Sequence, residues 1–153
     1  MTVGAVLALD LATTTGWAWH RQGMPRPYFG AFRLPGGPQD VGEPAAALER
    51  WLKDLIAVLA TGDAPLTHVF FEAQHIAAKI NVDTVYRLIG LGATVEKVAF
   101  EHGARPYKVL IQEWRKHFIG RGAGFKRDPV TKKYLPGENP KELAIRQCAR
   151  YGW

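Results

Sequence analysis

The apolar run Val3-Gly4-Ala5-Val6-Leu7-Ala8-Leu9 constrains this chain most. It ends in Asp10 and passes straight into Leu11-Ala12-Thr13-Thr14-Thr15-Gly16-Trp17. A run so short and so apolar reads as a central strand buried on both faces, not as an amphipathic helix. An acid at the rim of such a strand loses part of its hydration, a cost that a cation or a hydrogen-bond network must offset. The event recurs downstream, where Thr67-His68-Val69-Phe70-Phe71 ends in Glu72. Two strands that each deliver an acid from the same kind of position point to a metal site held by Asp10 and Glu72. The plainer reading makes Asp10 a turn cap, with Thr13, Thr14 and Thr15 satisfying turn backbone around it.

Charge separates the chain into unlike parts. Residues 1–100 hold 8 Lys+Arg against 9 Asp+Glu, whereas residues 101–153 hold 12 against 5. A neutral part carrying strand-end acids, joined to a strongly basic part, suits a polyanion such as nucleic acid better than a membrane or a small acid. The bland alternative is a solvated basic surface. The length, 153 residues, is about that of one domain. The single cysteine, Cys148, excludes an intramolecular disulfide and a Cys-based zinc site, and reads as helix packing. The apolar N-terminal stretch is too short for a membrane span and has no basic lead, so the expected compartment is the cytoplasm.

Three strands open the chain: Val3–Asp10, Gly16–His20 and Tyr28–Leu34, with connections short enough for an antiparallel meander. Trp17 and Trp19, two apart, share a strand face and read as core. After the loop Pro35-Gly36-Gly37-Pro38, a helix is predicted from Glu43 to just before Gly62, burying Leu48, Trp51, Leu52, Leu55, Val58 and Leu59. Thr67–Phe71 is the fourth strand. A helix over Val82–His102 follows, with Val85, Leu88, Ile89, Gly92, Val95 and Ala99 as its apolar stripe. Pro106–Leu110 reads as a fifth strand and Gln112–Ile119 as a short helix.

Residues 120–138 mix glycines with Arg121, Lys126, Arg127, Lys132 and Lys133 and have no periodicity. They read as a flexible basic loop that orders on a phosphate backbone. Phe125 within it has no evident core to join and is a candidate for stacking on bases. Asn139, Pro140 and Glu142 form a partial capping box for a last helix. No repeat and no domain boundary is visible.

Three meander strands, a helix, a fourth acid-bearing strand and further helices follow the order of a ribonuclease H-like domain. Leu9-Asp10-Leu11-Ala12-Thr13-Thr14-Thr15-Gly16-Trp17-Ala18 resembles the first motif of RuvC-type Holliday-junction resolvases. Phe71-Glu72-Ala73-Gln74-His75 resembles their second. Trp114-Arg115-Lys116-His117-Phe118-Ile119-Gly120, the glycine-rich loop and Lys141-Glu142-Leu143-Ala144-Ile145 resemble their basic third region. The resemblance covers nearly the whole chain and implies an α/β fold. Its mixed five-stranded sheet combines a three-strand meander with two more strands, flanked by helices in a single domain over 1–153.

It also implies a structure-selective endonuclease acting on branched DNA in recombination, often a homodimer, with phage and prophage members. Asp10 and Glu72 would ligate Mg²⁺ or Mn²⁺, and Arg115 and Lys141 would stand near the scissile phosphate, Lys141 in a catalytic role. On the same reading Thr14 and His75 contact phosphate, Lys79 and Arg87 line a DNA groove, and Lys116 joins the basic loop on the DNA. The plainer reading leaves His75, Lys79 and Arg87 as solvated helix positions. The family's last motif, a further pair of acids on a helix after the one beginning near Lys141, does not occur before Trp153. The expectation is therefore a chain shortened at its C-terminal end, or a relic, with poor or no nuclease activity. A non-catalytic branched-DNA-binding module is the first alternative. An actin-like ATPase or sugar-kinase fragment, suggested by the Asp10–Gly16 loop, is the second and lacks room for the second lobe such proteins need.

Overall fold

Alternation in the first two strands builds the sheet. In the computed structural model, which describes residues 4–37, 39–60, 64–73 and 81–150, Ala5, Leu7 and Leu9 of β1 (Ala5–Asp10) point to the buried side. So do Thr15 and Trp19 of β2 (Thr14–Arg21). Next come β3 (Tyr28–Arg33), α1 (Gly42–Leu59), β4 (Leu66–Glu72), α2 (Val82–Glu101), β5 (Arg105–Val109), α3 (Ile111–Ile119) and α4 (Pro140–Arg150). The five strands lie in the order β3-β2-β1-β4-β5. The β1–β2 and β2–β3 pairs are antiparallel and β1–β4 is parallel, so the meander and the fourth strand fall as the sequence predicts. Val3 and Gly62, read as a strand start and a helix stop, lie outside the described residues.

The chain gathers into two compact units, Met1–Lys108 and Val109–Trp153. The first holds the core, in which Leu48, Leu52 and Ile56 of α1 and Leu91, Val95 and Val98 of α2 pack with Leu7, Leu9, Val69 and Phe71 of the sheet. Trp51 meets the sheet through rings, stacked on Phe32 at 4.9 Å and edge-on to Trp17 at 6.3 Å. Both strand tryptophans thus face the core side, as their spacing requires.

Three expectations are corrected. β1 is central but buried on one face only; Ala8 and Asp10 on its other face are exposed, because both core helices pack against the opposite side. Val58 is 74% exposed while Ile56 is buried, since one residue is about 100° of helix and Val58 falls off the 48–52–56–59 stripe. Ile89 likewise faces outward, with Leu91 and Val98 taking the inner stripe.

Arg87 is a fourth correction. It is neither a solvated helix position nor a groove cation but 6% exposed. Its guanidinium donates to the carbonyl of Gly37 and, at 3.3 Å, to that of Pro35. A cation committed to loop carbonyls stitches α2 to the Pro35–Gly37 turn and offers nothing to a phosphate. On the outer sides of α1 and α2, Glu49 accepts from Lys53 at 2.8 Å and Lys97 at 2.8 Å, and Lys53 also reaches Glu101 at 2.9 Å.

Arg87→Ala should lower the unfolding free energy by roughly 1.5–3 kcal/mol, the worth of hydrogen bonds made by a charged group. The check is a lower urea midpoint with an unchanged slope. Lys53 first, then Lys97, hold the Glu49 carboxyl down from its ordinary 4.5 to about 2. A folded value below the unfolded one stabilises fully above about pH 4.5 and is lost as pH falls toward 2. Glu49→Gln should therefore flatten the Tm–pH profile over that window, and added salt should shrink the wild-type effect.

Candidate functional site

Register decides where the two acids go. In the parallel β1–β4 pair Leu7 lies opposite Val69 and Leu9 opposite Phe71, and all four are buried. Side chains alternate along each strand, so Val6, Ala8 and Asp10 share the other face with His68, Phe70 and Glu72. Asp10 and Glu72 each stand one residue beyond the Leu9–Phe71 pair, at the C-terminal ends of neighbouring strands about 4.8 Å apart. That end of an open α/β sheet is where ligands commonly bind. Asp10 is exposed and Glu72 half-buried, so the sequence-based premise of a partly dehydrated Asp10 fails even though the two acids end neighbouring strands on one face. The uncovered face leaves the Asp10 carboxylate in water.

The ground beside Asp10 is kept low. Its cross-strand partner is Gly16, where an added Cβ would stand 3.7 Å from the Asp10 Cβ. Ala31 lies opposite Gly16 on β3. The threonines divide: Thr15 is fully buried and donates to the Ala12 carbonyl at 3.1 Å, and the Thr13 carbonyl accepts from Leu34 at 2.8 Å. Thr14 is exposed at the same rim as Asp10 and pairs with Arg33. Arg33 escaped the sequence reading because only the hairpin register reveals its neighbours. Further along this face His68, Phe70 and Tyr107 form a ring cluster, with Phe70 and Tyr107 stacked at 5.3 Å.

Among the described residues no three His, Cys, Asp or Glu side chains gather in a way that could hold a metal ion. Asp10 and Glu72 are hard-oxygen donors of the chemistry that Mg²⁺ takes, an ion commonly held by one or two carboxylates that completes its shell with water and substrate phosphate.

The second unit carries the net charge. Val109–Trp153 holds 10 Lys+Arg against 4 Asp+Glu, while residues 1–108 balance at 10 against 10. Within the stretch 120–138, expected to be a flexible basic loop, residues 126–135 form a short hairpin with an antiparallel bridge between Arg127 and Tyr134. Asp128 closes its tip by accepting from the backbone of Thr131 at 2.6 Å and of Val130 at 3.0 Å and from the Thr131 hydroxyl at 2.9 Å. These bonds, the Thr131 backbone foremost, lower its pKa. Glu138 closes the base, accepting from the Lys126 backbone at 3.1 Å and from Arg121 at 2.7 Å; the Lys126 bond leads in lowering its pKa. Local polar bonds, invisible to hydrophobic periodicity, order this segment.

Arginines lie over the rings of this unit. Arg121 lies over Phe125 at 4.8 Å, Arg115 over the same ring at 5.9 Å, and Arg127 over Tyr134 at 4.2 Å. Phe125 is half-buried beneath two arginines and edge-on to Tyr134 at 6.5 Å, which removes the premise of a free stacking platform. Lys132 donates to the Pro129 carbonyl at 2.6 Å. Lys116, Lys126, Lys133 and Lys141 are exposed, with no side-chain hydrogen bond or ion pair among the described residues. The predicted cap of α4 is present: Asn139 accepts from the Lys141 backbone at 3.0 Å and its amide meets Glu142 at 3.4 Å. Cys148 is half-buried. His75 and Lys79 lie outside the described residues. No described helix is long and apolar enough to cross a membrane.

No protein-family model matches the chain, and no curated protein matches it in sequence. Its fold is similar to that of Thermus thermophilus RuvC, with a TM-score of 0.54 at 16% identity over 97% of this chain and 96% of that one. T. thermophilus RuvC in complex with a Holliday junction substrate gives 0.61 at 15% identity over 97% and 94%. The chain has the mixed five-stranded α/β fold of these RuvC, ribonuclease H-like structures.

Gly122 lies against the start of α3, where an added Cβ would fall 2.5 Å from the Gln112 carbonyl oxygen. Gly122→Ala should destabilise this unit by about 1–3 kcal/mol, the usual cost of forcing atoms into packed space. Thermal melting followed by tryptophan fluorescence, to which Trp114 contributes, is the check.

Proposed function

We propose that this chain binds branched DNA and acts on it as a metal-assisted, structure-selective endonuclease of the resolvase type. One observation carries the reading: Asp10 and Glu72 close neighbouring strands on one sheet face, in a chain whose net charge lies in a separate basic unit. A divalent ion there supplies water activation and stabilisation of charge on a phosphate. Asp10 and Glu72 contribute the oxygens that would hold it. The outward Lys116, Lys126, Lys133 and Lys141 neutralise backbone phosphates and release counterions, with Lys141 assigned a catalytic part by the family resemblance. Arg115, Arg121 and Arg127 divide their charge between the rings they lie on and DNA, and Lys132 adds a further positive charge. His75 and Lys79 are assigned to DNA by the resemblance alone.

A second copy of the chain fits the outer side of α2. Val82, Tyr86, Ile89 and Phe100 are exposed, and with Ala93 and Glu96 they fall at alternating spacings of four and three, the pattern of a two-helix seam. A homodimer is the assembly this reading implies.

A binding module without cleavage is the second reading. It is favoured by the pair of carboxylates standing without a third metal-binding side chain among the described residues.

A labelled four-way junction tests both. The protein should bind it more tightly than linear duplex, with affinity falling steeply as salt rises. Cleavage with Mg²⁺ or Mn²⁺ that Asp10→Asn abolishes, while binding persists, supports the nuclease. Binding without cleavage in either ion supports the module, and equal affinity for junction and duplex overturns both.

A further inference from the structure

We infer that Arg33, with Thr14, forms a second phosphate-binding point on the sheet face that bears Asp10 and Glu72. The inference rests on the branched-DNA reading and extends it to residues of the meander. Register supplies the geometry. Asp10 pairs with Gly16 and Gly16 with Ala31, while Thr14 pairs with Arg33 one row nearer the rim. On the opposite side Thr15 is buried and Phe32 stacks on Trp51, so Thr14, Gly16, Ala31 and Arg33 all belong to the Asp10 face.

From Asp10 to Arg33 is two strands across, roughly 10 Å, and one row along, roughly 7 Å. The residues between are Gly16 and Ala31, which leave a low floor. A polyanion crossing that floor meets the carboxylates at one side and Arg33 at the other. Arg33 therefore takes a different phosphate from the one at Asp10 and Glu72, on the same strand of DNA.

Three features fit that role. Arg33 is exposed and its guanidinium has no hydrogen-bond or ion-pair partner among the described residues, unlike those of Arg87, Arg121 and Arg127, which are engaged within the fold. It stands beyond Ala31 and the exposed Phe29 on its strand face, so it breaks an otherwise apolar row at the rim. A guanidinium with five donors grips phosphate oxygens in fork geometry, and the Thr14 hydroxyl beside it adds a further donor. The competing account is a cation that only keeps the edge strand β3 from pairing with other chains.

Binding to a labelled four-way junction, measured by fluorescence anisotropy across a salt series in EDTA, separates these accounts without recourse to cleavage. Arg33→Ala should weaken binding and reduce the slope of log K against log salt by about 1, the signature of one lost phosphate contact. Arg33→Lys should restore most of the slope. Arg26→Ala removes the same charge from the β2–β3 connection at the opposite end of the sheet and should leave the slope unchanged. An unaltered slope in Arg33→Ala, or an equal loss in Arg26→Ala, overturns the inference while the branched-DNA reading stands. A wild-type protein that does not prefer the junction overturns both.

Discussion

The parallel pairing of β1 with β4 is the constraint on which the candidate site depends. Leu7 and Leu9 must be buried, and so must Val69 and Phe71. Only a register that turns both pairs inward achieves this. Because strand side chains alternate with a period of two, that register drives Asp10 and Glu72 to the opposite face together. A slip of one residue would bury one acid in the core and separate the pair. Hydrophobic burial, which has no chemistry of its own, thus aligns the two charged groups.

The cations are organised by a different physics. In the second unit the arginines are largely spent on structure: Arg121 on Glu138 and Phe125, Arg127 on Tyr134, Arg115 between Trp114 and Phe125. Planar guanidiniums stack on rings, whereas compact ammonium groups are strongly hydrated. Lys116, Lys126, Lys133 and Lys141 accordingly stay exposed, without side-chain partners among the described residues. In the first unit Arg87 is consumed by the Pro35–Gly37 turn and the lysines Lys53 and Lys97 by glutamates. Arg33 keeps an exposed guanidinium at the rim of the Asp10 face.

Much of the fold was legible because its signals are local. Alternation marked the strands, Asn139 and Pro140 marked the start of α4, and the paired strand-end acids marked the candidate site. Helix faces were less legible: Val58 and Ile89 are as apolar as their buried neighbours, and only packing shows which side of a wide stripe meets the sheet. Arg87 looked like a surface cation because nothing in its own segment announces the loop carbonyls 50 residues away. The stretch 120–138 looked formless because Asp128 and Glu138 order it through polar bonds to backbone, which leave no periodic trace.

By itself the sequence determined that acids would close two apolar strands, that the first three strands would form a meander, and that positive charge would collect toward the C-terminus. These follow from composition and period, which act over a few residues. The tertiary structure alone decided that β1 is covered on one side only, that the acids stand at an open rim, and that Arg33 joins them while Arg87 does not. Those outcomes depend on register and on which face the helices cover, and both are settled by contacts between segments far apart in the chain.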